Sequence, residues 1–180
     1  MYPVMLNLEG RRCVVVGGGR AALMKAARQR ECGADVTVIS PEFIERFEDF
    51  DTKTKKYESS DIKGAFLVTA ATGDKVLNRK IAADARERGI LIYAVDDPAN
   101  SDIILPAAAR EGDITVTVST NGGYPYLAKK LRDKFAKEII PYAALLPKLT
   151  AFRSEILKKA SSDKHRILKK ELEKSCRNIE

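Results

Sequence analysis

Histidine occurs once in these 180 residues, at position 165, and no serine stands in a G-x-S-x-G elbow. His165 lies in a Lys-rich terminal stretch and reads as a surface residue. A nucleophile elbow and a Cys/His zinc site are therefore unsupported, and no metal site is expected. Cysteine is scarce as well. Cys13, Cys32 and Cys176 are odd in number and widely spaced, which argues against a disulfide framework and for a reduced, cytoplasmic setting. No run approaches the ~18 apolar residues of a membrane span. The opening MYPVMLNLEG lacks the basic start and long apolar run of a secretory leader, so none is expected. There is no internal repeat and no low-complexity linker. The chemistry of the chain must rest on carboxylates, hydroxyls and a bound cofactor.

Charge is plentiful but unevenly placed. Residues 1–110 carry 17 Lys and Arg against 16 Asp and Glu, whereas residues 111–180 carry 15 against 9. A basic excess in the last 70 residues suits a polyanionic small molecule or a nucleic acid. It is also what a solvated helical face would show. Lys158 to Arg177 has no interleaved aromatics, which counts against nucleic acid.

The most informative stretch is Cys13 to Ala27, CVVVGGGRAALMKAA. Cys13 to Val16 form a short apolar run bounded by glycine, the pattern of a buried parallel strand. Gly17, Gly18 and Gly19 allow a tight turn, and good helix formers follow from Arg20 and Ala21 onward. Gly17, Gly19 and Ala22 fit G-x-G-x-x-A, and a second strand, Val36 to Ile39, arrives after Gly33. A strand, a glycine turn and a helix start place free backbone N–H groups where a dinucleotide pyrophosphate sits. The carboxylate that usually closes the second strand is missing. Ser40 and Pro41 stand there, with Glu42 two residues late, so the choice between NAD and NADP stays open.

The rest of the chain alternates. Met1 to Gly10 reads as a lead-in, forming a short edge strand or an extended segment, and Pro41 suits the first turn of a helix through Phe43, Ile44 and Phe47. Asp51 to Ser60 reads as a loop or edge strand. Ala65 to Ala70 is a buried strand ending in Ala71 and Thr72, small residues at a carboxyl edge where ligands bind in open α/β sheets. Asp74 caps the next helix, Gly89 ends it, and Ile90 to Val95 form another strand. This order calls for an α/β fold with a doubly wound parallel sheet. Then the pattern changes. Ala107–Arg110 and Ile114–Ser119 flank a hairpin turn, and Asn121, Gly122 and Gly123 make a flexible loop. Pro125 opens a basic helix that ends before Pro141. Tyr142–Ala160 reads as a second helix, and Ser161 or Ser162 caps a third through Ile167, Leu168 and Leu172.

Asp96 is the leading candidate for acid–base chemistry. It follows an apolar strand and ends it on the ligand-binding edge, where partial burial would make it a usable base. A turn-capping role for Asp96 or Asp97 before Pro98 is the competing reading. Asp102 is a weaker alternative on the same reasoning.

LEGRRCVVVGGGRAALMKA, ADVTVISPE, GAFLVTAATGDKVLN, AVDDPANSDIILPA and VTVSTNGGYPYLAKKLR occur in the order and spacing of one family. Over about residues 3–140 the chain resembles the siroheme synthases, specifically their precorrin-2 dehydrogenase and sirohydrochlorin ferrochelatase module. The resemblance implies a Rossmann-type NAD-binding domain (1–106), a β-containing dimerisation region (107–141) and a C-terminal helical region (142–180). It implies oxidation of precorrin-2 to sirohydrochlorin with NAD, insertion of ferrous iron in some members, and a homodimer. The family's essential aspartate falls on Asp96. Its NAD contacts fall on Arg20 and Ala21 after the glycines and on Pro41 and Glu42 after the second strand. The hydroxyl-bearing substrate loop falls on Ser119, Thr120, Asn121 and Gly122. In that loop the usual S-T-G-G-x-S-P is replaced by Ser119-Thr120-Asn121-Gly122-Gly123-Tyr124-Pro125. Precorrin-2 carries many carboxylates, so the basic last third agrees with the implied substrate. A module that senses NAD(H) without turnover would keep the glycine turn but have no need of Asp96.

Overall fold

The computed structural model describes residues 1–159 and 163–177. The chain forms two compact units, Met1–Ile104 and Leu105–Glu180.

The first unit is a five-stranded parallel sheet. Its strands are β1 (Arg12–Val16), β2 (Asp35–Ser40), β3 (Asp51–Thr54), β4 (Leu67–Ala70) and β5 (Leu91–Ala94), in the spatial order β3-β2-β1-β4-β5. The register sets Val16 beside Ile39 on one side and Ala70 on the other. β1 is apolar without alternation because both of its faces are covered. Cys13 and Val15 pack with Ala22 and Ala26 of α1 (Arg20–Glu31), and Val14 and Val16 pack with Ile81, Ala82 and Ala85 of α2 (Lys75–Glu87). The alanines of α1 let that helix lie close to the sheet. Asp74 caps α2 as expected, accepting from the N–H groups of Val76 (2.8 Å) and Leu77 (3.2 Å). β3 is wholly exposed, as an edge strand of polar residues should be.

Met1–Gly10 is a lead-in without an edge strand. Only Leu8 is buried there, and the segment is fixed by Gly10 N–H donating to the Gly33 carbonyl (2.8 Å). The segment after Pro41, expected to be a helix, is not helical. Ile44 N–H is drawn to the Gly18 carbonyl (2.9 Å), Arg46 takes φ +87°, and Phe43, Phe47 and Phe50 stack in series with centroids 5.0 and 5.9 Å apart. Tertiary contacts override a weak local preference.

The second unit opens with the antiparallel ribbon β6 (Ala107–Glu111) and β7 (Ile114–Val118), turned through Gly112 and Asp113. The helix α3 (Pro125–Glu138) packs on this ribbon, and Arg132 donates to the Ala108 carbonyl (3.3 Å). α4 (Ile140–Lys158) and α5 (Lys164–Cys176) pack on one another through Leu149, Phe152, Leu168 and Leu172. The expected end of the second helix at Ala160 and the caps Ser161 and Ser162 lie outside the described residues. Among the described residues no helix is long and apolar enough to cross a membrane.

Candidate functional site

β1 and β4 are neighbours whose chains leave toward opposite sides of the sheet, which opens a crevice at their carboxyl ends. Gly17 sits in this crevice at φ +131°, and its N–H donates to the Ile39 carbonyl (2.8 Å). A Cβ at Gly17 would lie 2.8 Å from the Ala71 carbonyl carbon and nearer still to its oxygen. A Cβ at Gly18 would collide with the Glu42 carbonyl and lie 2.7 Å from Ser40 Oγ. The segments after β2 and β4 thus both close on the glycine turn. Gly19 differs, because a Cβ there would meet nothing within 4 Å. It immediately precedes α1, whose first turn has neither a side-chain cap nor an acidic residue. The first N–H groups of that helix face open space with the positive end of its dipole.

Arg20 is exposed beside this opening and Ala21 is half-buried. Pro41 and Glu42 are exposed at the end of β2, whereas Ser40 is buried. Ala71 is buried and Thr72 half-buried at the end of β4. Thr72 is held by a residue not singled out from the sequence. Buried Asn78 accepts from Thr72 Oγ1 (2.7 Å) and N–H (3.2 Å) and donates to the Thr72 carbonyl (3.0 Å). Its signal was an amide on the apolar face of α2, one turn before Ile81 and Ala82.

Asp96 follows β5 at the same edge, with φ +58°. It is exposed, so the partial burial expected of it is absent. The turn at Asp96 carries its side chain out of the strand's apolar surroundings. The neighbouring carboxylates have structural work. Asp97 accepts from Asn100 Nδ2 (2.8 Å), and Asp102 accepts from Ile92 N–H (3.3 Å) and faces Arg86 (3.6 Å). Ser101 Oγ accepts from Ala94 N–H (2.8 Å) and pins the loop between them. Among the described residues Asp96 has no hydrogen bond or contact ion pair. Its charge acts on half-buried Tyr93 and Lys25, both also unanticipated. Burial, with the charge of Asp96 second, raises the Tyr93 phenol. Burial lowers the Lys25 ammonium, Asp96 opposes that, and Arg28 adds to it.

In the second unit, Ser119 Oγ accepts from Asn121 N–H (3.1 Å) and Thr120 Oγ1 accepts from Tyr124 N–H (3.0 Å). Asn121 (φ +52°) and Gly122 (φ +83°) complete the turn. Each hydroxyl keeps its own O–H as a donor.

A parallel sheet with an uncapped, glycine-lined helix start at its switch point is a dinucleotide cradle. Residues 4–107 match the family model described as "Putative NAD(P)-binding". The chain belongs to this NAD(P)-binding family. It is 37% identical over 147 residues to a siroheme synthase of Nitrosococcus oceani, covering 78% of this chain and 31% of the relative. It is 38% identical over 136 residues to a siroheme synthase of Ectopseudomonas mendocina, covering 73% and 29%. The resemblance to the siroheme synthases is thus borne out, and the chain spans about a third of the length of these curated relatives. Among solved structures it is similar to SirC, a precorrin-2 dehydrogenase, with a TM-score of 0.79 and 26% identity over 94% of this chain and 88% of that one. The cradle fits the cofactor of an NAD(P)-binding domain. Gly17 and Gly18 leave no room for side chains behind the turn, while Gly19 leaves the space in front of it clear.

Proposed function

We propose that this chain is an NAD-dependent precorrin-2 dehydrogenase that forms sirohydrochlorin. The likeness to SirC through both units carries this reading, since that likeness extends beyond the NAD(P)-binding domain. In this reading Gly17, Gly18, Gly19, Arg20 and Ala21 receive the pyrophosphate. Pro41 and Glu42 flank one ribose, and Ala71 and Thr72 line the floor. Bound NAD supplies the hydride acceptor. The oxidation removes one hydride and one proton from the macrocycle, and Asp96 accepts the proton. Asp96 lies open at the ligand edge, while Asp97 is bonded to Asn100 and Asp102 to Ile92 of β5. Ser119, Thr120, Asn121 and Gly122 donate to substrate carboxylates, within a basic last third that attracts a polyanion.

Residues 107–141 serve as a dimerisation region in this account, because the two-stranded ribbon leaves its strand edges unpaired. Ferrous iron is a second substrate carried over from the family resemblance, and anaerobic addition of Fe²⁺ to the product tests it by the siroheme spectrum. The free thiols of Cys13, Cys32 and Cys176 accord with a cytoplasmic protein. Mixing the protein with precorrin-2 and NAD should give sirohydrochlorin absorbance and NADH in equal amounts. NAD binding without either product would instead support the sensor reading.

A further inference from the structure

The turn that leaves β4 carries a hydrogen-bond network of fixed polarity. Asn78, near the start of α2 and 5% exposed, holds Thr72 at three atoms. The Thr72 N–H can only donate and the Thr72 carbonyl can only accept. Their distances, 3.2 Å to Oδ1 and 3.0 Å to Nδ2, therefore set the Asn78 amide in one orientation. Oδ1 has no hydrogen to give, so at 2.7 Å the Thr72 hydroxyl must donate to it. The competing acceptor, the Asp74 carbonyl, is farther at 3.1 Å and already takes the Asn78 N–H (3.0 Å). Asp74 N–H donates to one lone pair of Thr72 Oγ1 (3.2 Å). Among the described residues nothing else bonds to this hydroxyl, so the one capacity it has left is to accept.

We infer that Asn78 is a positioning residue, which commits the Thr72 hydroxyl proton inward and so makes Thr72 the acceptor for a ribose hydroxyl of the bound dinucleotide. The inference rests on the reading of Thr72 as part of the cofactor floor and deepens it. A pyrophosphate offers only acceptors, and a spare lone pair cannot bond to it. The donors nearest the phosphates of a dinucleotide are its ribose hydroxyls. A Cβ at Gly17 would lie 3.2 Å from the Thr72 nitrogen, so this turn abuts the glycines. The strand order puts the ends of β2 and β4 on opposite sides of β1. A Rossmann sheet holds the adenosine ribose after its second strand, here at Pro41 and Glu42. The β4 side is left for the ribose of the nicotinamide half.

Calorimetry with NAD and with ADP, which lacks the second ribose, reads the inference as a ratio of two affinities and needs no turnover. Thr72→Val keeps the shape and removes the acceptor. It should weaken NAD about threefold to tenfold, the worth of one hydrogen bond, and leave ADP unchanged. Thr72→Ser, which keeps the hydroxyl, should recover most of the parent ratio. Asn78→Ala frees the hydroxyl proton and should lower the ratio as Thr72→Val does. Asn78→Asp retains an oxygen opposite the hydroxyl and should keep the ratio near the parent's, which tests Asn78 even if Asn78→Ala does not fold. Loosening of the turn alone would weaken ADP as much as NAD, because the turn abuts Gly17. Equal losses for both ligands in Thr72→Val, or no loss for either, overturn the inference and leave the cradle standing. So does an Asn78→Asp ratio that falls as far as that of Thr72→Val. A parent that binds neither NAD nor ADP overturns the dinucleotide reading, and the role of Asn78 with it.

Discussion

At Gly17, Gly18 and Gly19 the same residue type does three different jobs. Gly17 needs a positive φ, Gly18 needs to be small against the Glu42 carbonyl, and Gly19 needs only to leave the front of the turn clear. The variants should separate accordingly. Gly18→Ala must displace backbone and should cost about 1–3 kcal/mol of stability, as strained sites do. Gly19→Ala should stay within about 0.5 kcal/mol of the parent. Gly19→Asp should fold as well as Gly19→Ala but lose NAD, since it sets bulk and negative charge before the helix N-terminus. Thermal melts and calorimetry check all three, and a Gly19→Asp protein that binds NAD like the parent would misplace the site. The glycine turn was legible because its spacing is a direct record of backbone needs. The exposure of Asp96 was not, because it depends on one left-handed residue that no neighbour in the sequence announces. Lys25, Tyr93 and Asn78 were hidden for a related reason. Lys25 and Tyr93 meet across 68 residues of chain, Asn78 reaches back to Thr72 in the loop before its helix, and a lone polar residue among apolar ones has many possible fates.

At the level of elements, β1 and β4 were readable because their short, mostly apolar runs are buried on both faces. The segment after Pro41 was misread because its aromatics stack on one another and its backbone answers to Gly18 rather than to a helix. One contact network ties α2 to the chain before β4. Tyr57 O–H donates to Asp84 (3.0 Å), and Lys80 pairs with the same oxygen (2.7 Å). Burial pushes the Asp84 carboxyl upward, but the hydrogen bonds from Lys80 and Tyr57 and the charges of Lys80 and Arg88 outweigh it and hold it below its usual value of 3.8. A depressed carboxyl contributes stability above its unfolded pKa and loses it as pH falls through the folded value. Asp84→Asn should therefore melt below the parent at neutral pH, by roughly 1–2 kcal/mol. The gap should close as pH descends through and below the usual aspartate range. A gap of constant size down to that range would show that the carboxylate charge is not what matters.

For the whole molecule, the second unit exposes Leu127, Phe135, Ile140 and Tyr142 on α3 and α4 beside a two-stranded ribbon. Large apolar side chains in such number on a small unit call for a partner surface. Light scattering at micromolar concentration should give about twice the 19.9 kDa of one chain. A monomeric mass would remove the proposed dimerisation region. The central claim is that this NAD(P)-binding chain oxidises precorrin-2 with Asp96 as the proton acceptor. Its most direct test is the steady-state rate of sirohydrochlorin formation by Asp96→Ala beside Asp97→Ala. Asp96→Ala should lose about 10²–10⁴-fold in kcat, as the loss of a general base does, with NAD affinity unchanged and Asp97→Ala close to the parent. An Asp96→Ala enzyme that turns over precorrin-2 at the parent's rate would contradict the account.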